Sequence, residues 1–589
     1  MENNNIDWKL LRRVLKEAIP YRAIFIASTV LAIAVAPVAS LRPVLIQKMV
    51  DDYIFQNDVN GLYVITAIII GALFLEAIVR YAFIYFTRLL GQSVIRDLRV
   101  RVFNRITSFR LTYFDRTPIG TSTTRTISDI EKINDIFAQG IINIIADLLT
   151  MVVVLGVMLY FSWELTVICL TTMPFLIAAT YVFKEKVKVA YQKVRTQITR
   201  MNAYLQEQIT GMRIVQIFNA QADEMHKFKK INREYTQANL DAILYYAIFF
   251  PVVEIVSAAA LGLMVWFGAR QALDGAVSLG VLIAFPIYLS MLTRPMRQLA
   301  DRFNTLQMGL VAAQRVFNIL DKKDFISNEG KKTTEKLQGK INFDQVWFAY
   351  QAKDYVLKDI NFQINPGETL AIVGSTGSGK STIINILTRL YEIQKGKIYV
   401  DDVDITDYEL NNYRERLAIV LQDVFLFSGS VLENITLRND KIKEAEVIAA
   451  AKMIGAHEFI MKLPNGYDYK VMERGATLSM GQRQLISFIR ALVFDPDILI
   501  LDEATSSIDP ETESVIQYAI EKLIDRRTSI IVAHRLSTIR HADNILVLDK
   551  GEIKEFGSHE ELLQIEDGYY TKLYNMQFLE LTDEALVKN

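Results

Sequence analysis

The sequence predicts a six-helix transmembrane bundle with long cytoplasmic helix extensions, followed by an α/β P-loop domain. Three observations carry this expectation. Six apolar stretches are centred within 23–41, 62–86, 141–161, 165–183, 243–268 and 278–293, each about long enough to cross a bilayer, which takes roughly 20 residues. Positive charge is concentrated in two of the connections between them. Beyond residue 340, short continuous apolar runs of the kind found in buried parallel strands flank a glycine-rich turn.

Composition agrees with that division. A chain of 589 residues is too long for one ordinary domain. Hydrophobic residues make up 51%, and the mean hydropathy of +0.20 is high for a soluble protein. A net charge of −1 gives no bulk attraction to nucleic acid. The single cysteine, Cys169, excludes an intrachain disulfide and any multi-cysteine metal site, and its apolar surroundings read as those of a small buried hydrophobe. The N-terminal MENNNIDWK is polar and carries no signal-peptide pattern. The expected organisation is a membrane domain over 1–321, a linker over 322–340 and a soluble domain over 341–589.

Taken in order, residues 6–20 mix apolar and basic side chains at helical spacing, as in an amphipathic helix lying on a membrane surface. The connection DDYIFQNDVNG at 51–61 is acidic, and those near Trp163 and near Asp274 and Gly275 are short. The other two are long and basic, carrying among others Arg96, Arg101 and Arg110, and Lys184, Lys193 and Arg213. The positive-inside rule places both in the cytoplasm, with both termini. Residues 88–110 and 184–210 lack proline and keep helical spacing, so the spans are expected to continue into the cytoplasm. They turn over near 111–120 and 210–221, and these turns can touch a second domain. Glu76, Arg80, Asp147, Glu254 and Arg294 lie in or at the edge of apolar stretches. Charge there belongs to a polar pathway or to ion pairs between helices. Pro286 and Pro295 can kink the last span.

The stretch AIVGSTGSGKST (371–382) contains Gly374, Ser375, Thr376, Gly377, Ser378, Gly379, Lys380, Ser381 and Thr382. It fits G-x-x-x-x-G-K-[ST], a loop whose backbone N–H groups and following helix start converge on phosphate. Lys380 can reach the β- and γ-phosphates, and the Ser381 hydroxyl can ligate Mg²⁺. The apolar run ILILDEATSSIDP (498–510) ends in Asp502, suited to hold Mg²⁺, and Glu503, suited to activate a water for attack. Gln422 follows another apolar run and can contact Mg²⁺ or that water. His534 ends a third run and can hydrogen-bond a γ-phosphate, although a lone histidine there is more often structural. Tyr350 can stack on a base. In ATLSMGQRQLISFIRAL (476–492), Leu478, Ser479, Gly481 and Gln482 precede an amphipathic helix and offer a second anion site. A second phosphate contact in a chain with one phosphate loop is consistent with two copies facing head to tail.

With these motifs together, the sequence resembles the ATP-binding cassette (ABC) transporter superfamily, and within it the half-transporter exporters, which include multidrug exporters and the lipid A flippase. The resemblance covers the whole chain and rests on GSTGSGKS, Gln422, LSMGQ, ILILDE and His534. It implies that Tyr350 stacks on adenine, that Ser479 and Gly481 contact the partner's ATP, and that Ser506, Ser507, Ile508 and Asp509 form the D-loop. It implies that Glu473 lies in the segment touching coupling helices, which would be the turns near 111–120 and 210–221. The implied activity is ATP- and Mg²⁺-dependent export of a hydrophobic drug or lipid across a bacterial cytoplasmic membrane. Two ATPs hold the cassettes together and closure turns the membrane halves outward. The alternative is a cassette-gated channel or regulatory membrane protein, against which the intact Glu503 and His534 argue.

One residue departs from the family pattern: Met480 stands where the signature LSGGQ has its first glycine. Met480 beside an intact Glu503 fits one member of a heterodimer, and equally a homodimer that tolerates methionine. The expected partners are a second half-transporter, membrane lipid and a hydrophobic or amphipathic substrate, with no nucleic acid. Phe249, Phe250, Met264, Phe285, Tyr288 and Met291 can line a greasy cavity, but at helical spacing such residues more often pack or face lipid.

Overall fold

The computed structural model describes residues 7–351, 354–502, 510–533 and 539–578. The chain divides into two compact units: Met1–Thr107 with Ile119–Lys322, and Ser108–Pro118 with Lys323–Asn589.

The first unit is helical. It opens with α1 (Trp8–Lys16), whose N-terminus is capped by Asp7 accepting from the Lys9 and Leu10 amides. Leu11 and Val14 are buried, while Trp8, Lys9, Arg12 and Lys16 face outward. The Arg13 guanidinium makes a two-pronged contact with Asp321, at 2.6 and 2.7 Å. Next come α2 (Arg22–Lys48) and α3 (Val59–Thr107). At 1.5 Å per residue, α3 is about 70 Å long, more than twice a hydrocarbon core, so it must extend beyond the bilayer. The short α4 (Leu111–Arg116) belongs to the second unit. The membrane helices resume with α5 (Ile141–Phe161), α6 (Met173–Thr210), the short α7 (Met212–Ile217), α8 (Gln221–Leu273) and α9 (Leu279–Asp321). Among the described residues, six helical runs are long and apolar enough to span a membrane.

Three of the five charges in or beside the apolar stretches, Glu76, Arg80 and Asp147, settle into ion pairs. Arg80 meets Glu76 one turn away at 3.2 Å, and Arg302 on α9 meets Asp147 on α5 at 3.0 Å. Glu254 and Arg294 are exposed on the unit's surface. Cys169 is fully buried with Val154, Leu165, Met264 and Tyr288, in agreement with its reading as a small hydrophobe.

The second unit is an α/β domain. In chain order its strands are β1 (Ile341–Phe348), β2 (Leu357–Ile364), β3 (Thr369–Val373), β4 (Lys395–Val400), β5 (Val403–Asp404) and β6 (Leu417–Val420). They continue with β7 (Gly429–Ser430), β8 (Lys470–Val471), β9 (Ile498–Asp502), β10 (Thr528–Val532), β11 (Asn544–Asp549) and β12 (Glu552–Gly557). One sheet runs β2-β1-β4-β5 and is antiparallel. The other runs β12-β11-β3-β10-β9-β6, parallel except for β12 at its edge. Every residue of β3 and β10 is buried, which explains why these strands read as unbroken apolar runs. Two helices carry the glycine-rich motifs at their N-termini: α10 (Lys380–Leu387) and α11 (Met480–Val493).

The polar segment before β1 is not a free tether. Lys332 N–H donates to the Asp407 carbonyl at 3.0 Å, Thr334 N–H to Asn412 Oδ1 at 2.8 Å, and the buried Arg389 reaches the Ser327 carbonyl at 3.0 Å.

Candidate functional site

Parallel strands deliver their following loops to one edge of the sheet, and ligands of such folds bind there. β3 ends at Val373, and α10 begins seven residues later at Lys380. The intervening turn is wedged against its surroundings. A Cβ on Gly374 would stand 2.1 Å from the Leu548 carbonyl oxygen, and one on Gly379 would stand 2.7 Å from Leu357 Cδ2. Gly379 also has φ +110°, a conformation that costs other residues strain. The result is a curled backbone at the N-terminus of a helix, a natural cradle for an anion.

Lys380 is nearly buried, and its Nζ donates to the Gly374 and Ser375 carbonyls at 2.8 and 3.0 Å. Burial pushes its pKa below the usual lysine value, an effect that the nearby Asp502 carboxylate opposes. Ser378 Oγ is buried with no hydrogen-bond partner among the described residues. A cationic ammonium resting on carbonyls, an orphaned hydroxyl and a glycine cradle fit the phosphates of a nucleotide.

Register brings the acidic strand to the same edge. Val532 of β10 pairs with both Ile372 of β3 and Asp502 of β9. Ser381 Oγ lies 3.3 Å from Asp502 Oδ2. Val420 of β6 pairs with Leu501 of β9, so Gln422 follows on that edge too. Glu503, Ser506, Ser507, Ile508, Asp509 and His534 lie outside the described residues.

Tyr350 lies just beyond the end of β1. Its hydroxyl is 3.2 Å from Thr382 Oγ1 and accepts from Asn385 Nδ2 at 3.2 Å. Its ring stands edge-on to Phe348 and Tyr391, with centroids 4.8 and 5.0 Å away. Tyr350 and the turn 374–382 therefore form one group. Asn385 and Tyr391, not singled out from the sequence, complete it; neither carries a local sequence signal beyond its polarity or aromaticity.

Leu478 and Ser479 precede α11. Ser479 is its N-cap: Oγ accepts from Gln482 N–H at 3.2 Å, and Gln482 Oε1 accepts from Ser479 N–H at 3.0 Å. This reciprocal box fixes the start of the helix. Leu478 and Gly481 are buried, whereas Met480 is exposed at the first helical position. Gln422, Arg474, Met480, Arg483 and Gln484 line a cleft of about 320 Å³. Gln422 and the signature residue Met480 thus share one surface feature, and Glu473 is exposed beside it.

Comparison with known proteins agrees with this geometry. Residues 25–296 match the ABC transporter transmembrane region and residues 357–506 match the ABC transporter family. An ATP-dependent lipid A-core flippase of Desulfotalea psychrophila is 35% identical over 97% of this chain and 99% of its own. An ABC transporter ATP-binding/permease protein of Bacillus subtilis, named for multidrug resistance, is 37% identical over 89% of this chain and 78% of its own. A multidrug export ATP-binding/permease protein of Staphylococcus aureus is 35% identical over 97% and 100%. The chain belongs to the ABC transporter family. It is an integral membrane protein of the half-transporter exporter type, an ATPase whose activity is coupled to transport.

Proposed function

We propose that two such chains form an exporter of the bacterial cytoplasmic membrane that carries a hydrophobic or amphipathic compound, a drug or a lipid, outward by alternating access. The observation that carries the assignment of the ATP site is the Ser381–Asp502 approach beside a lysine held on the loop carbonyls. In this reading the turn 374–382 wraps the phosphates, Lys380 neutralises them, and Tyr350 stacks on adenine. Ser381, Asp502 and Gln422 hold Mg²⁺, directly or through water. Mg²⁺ supplies charge neutralisation at the β- and γ-oxygens. Glu503 orients and deprotonates the attacking water, and His534 hydrogen-bonds the γ-phosphate. Leu478, Ser479, Met480, Gly481 and Gln482 face the ATP of the partner chain, and Ser506, Ser507, Ile508 and Asp509 serve as the D-loop.

Membership of the half-transporter type supports the dimer. Only 6% of the most apolar window of α3 is buried within one chain, which leaves that surface to lipid or to a second half-transporter. Both homodimer and heterodimer accommodate Met480. The relatives named for lipid A-core and for multidrug compounds support an amphipathic or hydrophobic cargo.

ATPase activity and oligomeric mass of the chain purified alone in lipid nanodiscs test this reading. Mg²⁺-dependent turnover from a dimer, stimulated by lipid or drug and removed by Glu503→Gln with ATP binding retained, is the expected result. An inactive folded monomer would overturn the homodimer, and unchanged turnover in Glu503→Gln would remove that residue from its role.

A further inference from the structure

The segment Ser108–Pro118 is part of the α/β unit although helices of the membrane unit precede and follow it in sequence. It is tied down by specific polar contacts. Arg110 pairs with Glu392 at 2.9 Å, and its Nε donates to the Phe325 carbonyl at 2.8 Å. The next residue back in the sequence from Glu392 is Tyr391, whose hydroxyl donates to Asp115. Tyr391 is 9% exposed, and its ring holds Tyr350 edge-on. Arg116 Nη2 donates to the Tyr350 backbone carbonyl at 3.2 Å. Tyr350 is thus gripped twice from α4: through its carbonyl by Arg116, and through its ring by way of Tyr391 and Asp115.

We infer that Asp115, Arg116 and Tyr391 are positioning residues for the base platform: they set where Tyr350 presents its ring to adenine, so that the affinity for ATP depends on a segment threaded between membrane helices. This rests on the assignment of Tyr350 to adenine. Tyr350 is held at its hydroxyl by Thr382 and Asn385, at its carbonyl by Arg116 and at its ring by Tyr391. Burial, then the hydrogen bond to Asp115, push the Tyr391 phenol above its usual pKa, so the proton stays in that bond at any physiological pH. A displacement of α4 that breaks this bond frees the Tyr391 ring and with it Tyr350. By reciprocity, ATP that engages Tyr350 favours the docked position of α4.

The test uses the full chain in nanodiscs, with binding of ATP and of inorganic tripolyphosphate measured calorimetrically. Tripolyphosphate fills the phosphate loop without a base. Tyr391→Phe, Asp115→Asn and Arg116→Gln are each expected to weaken ATP about threefold to tenfold, the scale of one lost hydrogen bond or aromatic contact. Tripolyphosphate binding is expected to remain unchanged, and turnover at saturating ATP to hold while KM rises. Asp115 and Arg116 are exposed, so their variants fold even if Tyr391→Phe does not. Equal weakening of ATP and tripolyphosphate would overturn the inference, since the effect would then be a general disturbance of the loop. Tyr350→Ala separates the two levels. If it leaves ATP binding intact, the adenine assignment fails. If it weakens ATP while the three other variants do not, the assignment stands and the positioning role fails.

Discussion

Ser381 Oγ and Asp502 Oδ2 stand 3.3 Å apart, although 121 residues separate them in the chain. The parallel pairing of β9, β10 and β3 brings them together, because each strand ends at the same edge of the sheet. A hydroxyl and a carboxylate oxygen are the kind of hard oxygen ligands that Mg²⁺ takes, and the proposed role of this pair is to hold it. Asp502→Asn keeps the shape and removes the charge. Its expected effect is a loss of about two orders of magnitude in Mg²⁺-dependent turnover, with nucleotide binding in EDTA little changed. Turnover within a factor of two of the parent would show that Asp502 does not hold the ion.

Lys380 provides a pH signature. Burial lowers its pKa in the nucleotide-free site, and a bound polyphosphate raises it again. Between the lowered and the restored values the free protein is deprotonated and the complex protonated. ATP binding there takes up a proton, and affinity falls as pH rises through the window. Calorimetry in two buffers of different ionisation enthalpy, at neutral and alkaline pH, reads the uptake directly. Proton release instead of uptake would contradict the sign.

Gly379 has φ +110° and no room for a methyl group beside Leu357. Gly379→Ala is expected to cost about 1–2 kcal/mol of stability from backbone conformation alone, and to weaken ATP as the loop opens. Thermal unfolding with and without ATP separates the two effects: the ATP-dependent shift in Tm should shrink as well as the baseline.

Met480 is exposed at the first position of α11 and borders the cleft that includes Gln422. Met480→Gly alters little of the fold, since a glycine in a helix interior costs only ~1 kcal/mol and less at a capped end. Its turnover is expected to rise if the signature limits closure of the dimer. An unchanged rate would show that methionine is tolerated there.

Arg13 bridges the first helix to the last residue of α9 through a two-pronged contact with Asp321, and its guanidinium lies 4.0 Å from the centre of the Phe317 ring. Both charged groups are about half exposed, so screening limits the pair to about 1 kcal/mol. Arg13→Ala should lower thermal stability by that amount, and Arg13→Lys should recover only part of it, lacking the planar fork.

The membrane helices and the phosphate loop are legible in the sequence because physics constrains them locally. Hydrocarbon demands a run of apolar residues, and the turn between Val373 and Lys380 demands glycine where Leu357 and Leu548 crowd it. Relationships across the chain leave no such mark. Residues 322–340 read as a linker from polarity alone, yet Lys332 and Thr334 are hydrogen-bonded to residues 407–412. Asp115 shows itself only as a turn residue, because its hydrogen-bond partner Tyr391 is 276 positions away. Gln422 is marked by its motif, but its meeting with Met480 depends on how β6 and α11 pack.

The chain's one thiol, on Cys169, is sealed among Val154, Leu165, Met264 and Tyr288. The natural protein is therefore already a silent background for maleimide chemistry. A cysteine introduced at exposed Phe114, which takes no part in the contacts to Tyr391 and Tyr350, would be the single site to take a fluorophore or spin label, with no native cysteine to remove first. Motions of α4 can thus be followed in an otherwise unaltered chain.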